Sequence, residues 1–478
     1  MTTGGPDPRR WQALALVCVA FFMTVLDVSI VNVALPSIRT SLGVSDTSLQ
    51  WVLIAYTITF GGFLLLGGRA ADLLGRRRMF MVGTALFATA SLACGLAGSI
   101  GVLIAARAVQ GLGAAIISPA TLSIIMTTFE EGAERNKALG IWGAMGGSGA
   151  AAGVLFGGIL TKYAGWEWIF FVNVPVGAIV LALTRSVVRE SRAEGLRGFD
   201  AGGAVTVTGG LGLLVYAISK APDVGWATGR TIGLLIGSAL LLGAFAVIET
   251  RNPSPLVPFG IFRTKTLAGA NIVGFLLGAV IFANFFILTL YVQQVLSYSA
   301  LKTGLTFLAT AGTVIPVAGL AQALVTRIGV KPVLTVGLAL MTGAMLWYAQ
   351  IPVQGSFATD LLPGYLMVGV GMAFAFIPVS IAALAGVESR EAGLASGLIN
   401  TSQQIGGALG VAVASTVAFT HVKTLLASGH SQPEALTSGF GLAFWVLAAI
   451  SAASVVATLV FVRSGEVAVE AEEATVAI

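Results

Sequence analysis

The sequence predicts an all-α integral membrane protein of fourteen transmembrane helices, two six-helix bundles with two helices inserted between them. Three observations lead there. Hydrophobic residues make up 56% of the 478 residues and charged residues only 10%, with a mean hydropathy of +0.93, which leaves too little charge to cover a soluble surface. The apolar residues gather into runs long enough, as helices, to cross a hydrocarbon layer about 30 Å thick. Two long polar connectors then divide those runs into six, two and six.

The first helix, 11–35, lies between Trp11 and Pro36 and follows Arg9 and Arg10. A basic start resembles a signal peptide, but this run is too long, contains Asp27 and precedes many more, so it is read as a retained helix. The second and third, 49–68 and 79–98, are joined by the segment from Gly68 to Arg78. The fourth, 101–125, holds Arg107 inside its apolar run. In the fifth, 137–160, Gly149, Gly153 and Gly157 fall at i, i+4 and i+8 and form a smooth stripe for close helix packing. The sixth, 168–187, ends at the charged connector from Arg185 to Asp200. The inserted helices, 201–219 and 231–248, end at the Pro-rich break from Thr250 to Lys265. Helices at 268–296, 303–326, 332–351, 360–383, 395–419 and 439–462 make the second bundle. The domain limits are therefore 1–198, 199–250 and 251–465, with an acidic, solvated tail at 466–478. An internal repeat agrees: the segment from Thr127 resembles that from Ala385, each between the fourth and fifth helices of its half. Repeated halves related by an axis along the membrane normal are a transporter arrangement, with the substrate path between them.

With the N-terminus inside, 19 Lys and Arg residues fall in cytoplasmic segments and 6 in external ones, Arg107 being the last of the 26. That bias places both termini in the cytoplasm of a multi-pass protein in the cytoplasmic membrane, with the lipid bilayer as its first partner. The net charge of +5 reflects these retained cations and gives no support to nucleic-acid binding. Cys18 and Cys94 lie in apolar spans without disulfide or metal-ligand spacing. There is no Gly-Lys pair, hence no phosphate-binding loop for ATP. The two histidines, His421 and His430, fall in or near an external loop, so a histidine metal site or catalytic triad within the membrane is not expected. No cofactor, no metal and no enzymatic activity are expected, and a monomer is the default state.

Asp27 is the one acid deep inside an apolar run. A charge at that depth costs about 2.5 to 3.5 kcal/mol even on a lenient insertion scale, which calls for a reason. Asp27 lies about 13 Å below Pro36 and Arg107 about 12 Å below Ser99 at 1.5 Å per residue, so the two share a depth. Burial favours the neutral acid and a neighbouring cation favours the anion; movement of either between rocking states loads and releases a proton. The alternative is a permanent ion pair that holds the first helix to the fourth.

Three motifs carry a family resemblance. Gly68-Arg69-Ala70-Ala71-Asp72-Leu73-Leu74-Gly75-Arg76-Arg77-Arg78 resembles the loop signature of the major facilitator superfamily. Leu26 to Pro36 and Leu103 to Gly113 resemble the first- and fourth-helix motifs of its fourteen-helix drug:proton antiporter branch, the multidrug and antibiotic efflux transporters. Trp166 to Pro175 and Asn400 to Gly410 are similar to that branch as well. The resemblance implies two six-helix bundles plus two inserted helices, and export of small molecules driven by proton entry. Two positions depart from it: Val154 follows Gly153 where the antiporter signature has proline, and Glu167 stands where it has arginine.

In the loop, Gly68 and Gly75 permit close approach and tight turning, while Asp72 and Arg76 form charge-assisted bonds at the cytoplasmic helix ends that hold an inner gate. Arg76 to Arg78 also serve as topology anchors. The second half has Thr326 opposite Asp72 and no deep acid, but many amides. Asn32, Gln110, Asn284, Gln293, Asn400 and Gln404 are candidates for the substrate cavity, Asn400 and Gln404 sharing a helical face at i, i+4. Interhelical hydrogen bonding is the alternative for any one amide. The expected activity is proton-coupled export of amphipathic or hydrophobic small molecules; the alternative is a weakly proton-dependent exporter or facilitator of lipids or metabolites.

Overall fold

A computed structural model of the protein describes residues 8–130, 133–192, 200–263, 265–384 and 392–462, and among these no strand occurs. The helices are α1 (Arg10–Leu42), α2 (Asp46–Leu74), α3 (Arg76–Gly95), α4 (Ile100–Thr128), α5 (Ala133–Tyr163), α6 (Trp168–Phe171), α7 (Asn173–Val187), α8 (Ala201–Val224), α9 (Gly229–Arg251), α10 (Lys265–Leu290), α11 (Ala300–Ile328), α12 (Val330–Tyr348), α13 (Leu362–Leu384), α14 (Ala392–Ala427) and α15 (Gln432–Phe461). Thirteen segments among the described residues are long and apolar enough to cross a membrane. α5, with 31 residues, occupies the place of the remaining predicted span. The acidic tail, the repeat segment at 385–391, and Arg197, Arg390 and Arg463 lie outside the described residues.

Serine side chains begin several helices at the ends predicted to face outward. Ser45, Ser99 and Ser299 accept hydrogen bonds from Ser48 N, Val102 N and Lys302 N at the starts of α2, α4 and α11. Ser431 and Glu434 form a capping box on α15. Each satisfies amide groups that a helix start leaves without partners.

Several predicted boundaries move, two of them at motifs. α1 continues through Pro36 to Leu42, ending at Gly43 with φ +63°. The proline removes one amide donor but leaves the helix able to continue. α2 runs on to Leu74, so most of the supposed loop is helix and Gly75 alone joins α2 to α3.

The chain divides into two compact units, Met1–Gly209 with Gly243–Leu256, and Gly210–Leu242 with Val257–Ile478. In the first, α1 packs on α5, α2 on α4, and α3 on both α4 and α7. In the second, α10 packs on α14, α11 on α13, and α12 on both α13 and α15. The pairing scheme is the same in each. Glycines set a close helix contact in each unit. A Cβ at Gly153 would stand 2.7 Å from Leu26 O, and one at Gly157 2.8 Å from Ile30 O. In the second unit, Cβ atoms at Gly406 and Gly410 would overlap the carbonyls of Phe275 and Ala279. Gly406 and Gly410 thus do for α10 and α14 what Gly153 and Gly157 do for α1 and α5.

Candidate functional site

Asp27 lies near the midpoint of the 33-residue α1 and is fully buried. Its helix approaches α5 closely because α5 presents only glycine there: the stripe of Gly149, Gly153 and Gly157 lies against Phe22, Leu26 and Ile30. α4 in turn comes close to α2 because a Cβ at Gly111 would stand 2.5 Å from Tyr56 O. These small-residue contacts bring the Arg107 side chain, 1% exposed, across to α1.

Arg107 Nη1 forms an ion pair with Asp27 Oδ2. The same nitrogen donates to Gln110 Oε1 at 2.7 Å, and Nε donates to the Val52 carbonyl at 3.0 Å. The guanidinium lies 4.2 Å from the centre of the Tyr56 ring, a cation–π contact. The other carboxylate oxygen, Asp27 Oδ1, accepts from Gln110 Nε2 at 2.8 Å and from Asn173 Nδ2 at 3.1 Å. Behind these, Ser91 Oγ accepts from the same two amide nitrogens at 3.1 and 3.0 Å and donates to Phe170 O at 2.9 Å. Cys94 Sγ donates to Gln110 Oε1 at 3.7 Å.

The arrangement answers the cost of burying charge. A buried pair is tolerated when the ions oppose each other and hydrogen bonds occupy their remaining lone pairs and protons. Here both carboxylate oxygens are bonded, and the guanidinium reaches a carboxylate, an amide and a backbone carbonyl. The groups that contact the carboxylate are all donors. The network therefore suits the anion, and an arriving proton has to rearrange it.

Where α2 meets α3, Asp72 Oδ1 accepts from Arg76 Nε at 3.1 Å and Nη2 at 2.9 Å, and from Ser123 Oγ at 3.4 Å. Gly75 turns the chain with φ +110°, a conformation that side chains resist. Its neighbour in space is Glu190, whose carboxylate accepts from the backbone amides of Arg77 and Arg78 at 3.1 and 3.2 Å. Glu190 thus caps the start of α3. The expected close approach at Gly68 is absent: a Cβ there would meet Pro119 at an ordinary 3.4 Å, whereas one at Gly67 would overlap the Ala115 carbonyl.

Of the residues expected to line a cavity, Gln110 belongs elsewhere. It is fully buried, and both ends of its amide are engaged in the Asp27 network. Asn32 donates to Val28 O at 3.0 Å, and its own buried Oδ1 lacks a partner. Asn284 Oδ1 and Gln404 Oε1 are likewise buried acceptors without partners in the second unit. Asn400 is exposed and donates to Ser396 O at 2.9 Å. Gln293 is partly buried.

Sequence reasoning missed Asn173, Ser91, Tyr56 and Glu190. Asn173 lies inside the quoted Trp166 to Pro175 motif, and its position in an apolar run beside Pro175 was the available signal. It also missed two other buried acids, Asp200 and Glu249, each 4% exposed. They belong to the inserted pair: Asp200 precedes α8 and bonds Gly203 N at 2.7 Å, and Glu249 lies in the last turn of α9. Asp27 differs from both in standing mid-helix.

The chain matches the model of the Major Facilitator Superfamily over residues 17–411. It is 40% identical over 443 residues to the puromycin resistance protein pur8 of Streptomyces alboniger, which covers 91% of this chain and 87% of that protein. It is 38% identical over 452 residues to the cephamycin export protein CmcT of Amycolatopsis lactamdurans, covering 93% and 91%. Among solved structures, the nucleoside transporter NupG aligns with a TM-score of 0.67 at 14% identity, over 94% of this chain and 100% of that one. With the family's model matched over most of its length and relatives this similar across nearly all of it, the chain belongs to the major facilitator superfamily, whose members are membrane transporters and not enzymes.

Proposed function

We propose that the protein exports amphipathic or hydrophobic small molecules, antibiotics among them, across the cytoplasmic membrane in exchange for protons. Asp27 binds the proton, and Arg107 is the counter-charge that holds the acid ionised until the transport cycle pulls the two apart. The observation that carries this reading is a fully buried mid-helix carboxylate opposed by one arginine and caged by two amides. A purely structural pair has no need of such an expensive position, and intramembrane ionisable groups mark ion pathways by default. The relatives named for puromycin resistance and cephamycin export support a drug-like cargo. Asn32, Asn284 and Gln404 supply buried carbonyl oxygens that suit N–H or O–H groups of such a cargo. A proton crossing about 150 mV supplies roughly 3.5 kcal/mol, enough for two to three decades of gradient. The six, two and six organisation, cytoplasmic termini and a monomeric working unit complete the proposal.

The test uses proteoliposomes with an imposed pH gradient and ethidium, a fluorescent amphipathic cation, as the probe. Wild-type protein is expected to accumulate it, while Asp27→Asn, folded by size-exclusion profile, is expected not to. Accumulation by Asp27→Asn equal to wild type overturns the coupling role. A second reading, export with weak proton dependence, is favoured by Val154 in place of the signature proline and by the lack of a buried carboxylate among the described residues of the second unit. Proton flux recorded on addition of the probe separates the two.

A further inference from the structure

We propose that Asn173 is the hydrogen-bond partner of Asp27 in both protonation states, its side-chain amide turning over when the acid takes up a proton. The inference rests on Asp27 as the proton-binding group and adds the residue that allows it to change state inside a closed core.

Three donors converge on the carboxylate: Arg107 Nη1 on Oδ2, and Gln110 Nε2 and Asn173 Nδ2 on Oδ1. A carboxylic acid differs from its anion in having one O–H to donate. In a site whose members are 0 to 1% exposed, that O–H needs a protein acceptor, because a buried donor left without one is heavily penalised.

Gln110 is poorly placed to become that acceptor. Its Oε1 already receives Arg107 at 2.7 Å and Cys94 at 3.7 Å, and its Nε2 serves Asp27 and Ser91. Turning it over would point N–H bonds at a guanidinium. Asn173 differs: both of its bonds in the network leave from Nδ2.

A half-turn about the Cβ–Cγ bond exchanges Nδ2 and Oδ1 in nearly the same volume, along a torsion with two broad minima. Oδ1 then accepts the new O–H of Asp27. Ser91, freed of one incoming amide, turns its hydroxyl from Phe170 O to Asn173 Oδ1 while still accepting from Gln110. The Phe170 carbonyl keeps the backbone N–H of Val172. One amide reversal and one hydroxyl rotation thus give the acid's O–H and the Ser91 hydroxyl an acceptor, at the cost of the two bonds that Nδ2 makes in the anionic state.

The other titratable groups facing Asp27 are Arg107 from α4, Tyr56 from α2 and Cys94 from α3. α5 meets α1 beside it with glycine, and α5 and α7 carry their charged residues toward their ends. Of these only Tyr56 has a side-chain oxygen, and its buried hydroxyl bonds neither the acid nor any other group; Asn173, already bonded to the carboxylate, is the group in place to serve both states.

Infrared difference titration in lipid nanodiscs tests this, with Asp27→Asn used to assign the Asp27 carboxyl band. In wild type the protonated band is expected at the position of a hydrogen-bonded acid. Asn173→Leu, of almost the same shape, is expected to move it to the position of a free acid, because the O–H then has no acceptor. Asn173→Ser, too short to reach the carboxylate, is expected to act in the same direction and serves as the deciding variant if Asn173→Leu does not fold. An unchanged band in either folded variant overturns the assignment. If the band moves as expected but Asp27→Asn still accumulates ethidium under a pH gradient, the export mechanism falls and the Asn173 assignment stands.

Discussion

Gly153 of α5 lies directly against Leu26 of α1, the residue before Asp27: a Cβ on the glycine would stand 2.7 Å from the Leu26 carbonyl oxygen. The buried acid therefore owes its place to a residue two helices are pressed together through, and the contact can be tested from the far side.

Gly153→Ala should force α1 and α5 apart, because the Leu26 oxygen, the Ile30 nitrogen and the Ser29 Cβ that it meets are fixed by the backbone and cannot rotate away. Overpacking of this kind costs about 1 to 3 kcal/mol. The expected result is a lower melting temperature in detergent together with slower efflux. A variant with wild-type melting and wild-type efflux would show that the close approach is dispensable.

Arg107→Lys keeps the charge but cannot reproduce bonds to Asp27, Gln110 and Val52 O while stacking on Tyr56. It is expected to abolish coupled efflux. Arg107→Gln should destabilise by about 3 to 5 kcal/mol, since it strands a buried carboxylate. Adding Asp27→Asn should recover part of that loss. Thermal unfolding of the two single variants and the double variant reads the coupling, and strict additivity would mean that the pair does not interact.

Beside the turn at Gly75, Glu190→Ala removes a carboxylate that accepts from two backbone amides at the start of α3. Loss of such a cap costs about 1 kcal/mol. Glu190→Gln should retain part of the effect through its amide oxygen, and protection of the Arg77 and Arg78 amides in hydrogen exchange is the measurement.

Glu134 at the start of α5 pairs with Arg10 at the start of α1, its Oε2 2.9 Å from Arg10 Nε. The hydrogen bond from Arg10, helped by the charges of Arg10 and Lys137, holds its carboxyl below the ordinary value of 4.5. A lowered acid contributes stability that is fully present above its unfolded-state value and disappears as the pH falls through the lowered folded-state value. Wild type should therefore be more stable than Glu134→Gln near neutrality, and the two should converge as the pH drops below the usual carboxylate range. Because the pair is exposed, salt should shrink the difference at every pH.

Much of the fold was legible because the apolar runs are long and a bilayer admits few alternatives. The Asp27 and Arg107 pair was legible for a related reason: two opposite charges at matched depth in apolar runs have few other places to go. Asn173 and Ser91 were not, since a hydroxyl or amide within a span commonly bonds its own helix, as Thr24, Thr57 and Thr84 do with Phe21 O, Leu53 O and Phe80 O. Only packing decides which polar groups turn toward the acid. The same gap misplaced Gln110, whose residue type suits a cavity as well as a core. Helix ends were hardest: Pro36 and the charged stretch before Gly75 look like breaks, yet α1 and α2 pass through them.

The place of Asp27 in one unit has an energetic consequence. The second unit buries no carboxylate among its described residues, so an exchange routed through Asp27 draws on one proton per turnover. A neutral cargo would then leave a net charge moved across the membrane each cycle, while a monovalent cation would move in an electrically silent exchange. The cargo's charge, not the protein, would decide whether the membrane voltage or only the pH difference drives export.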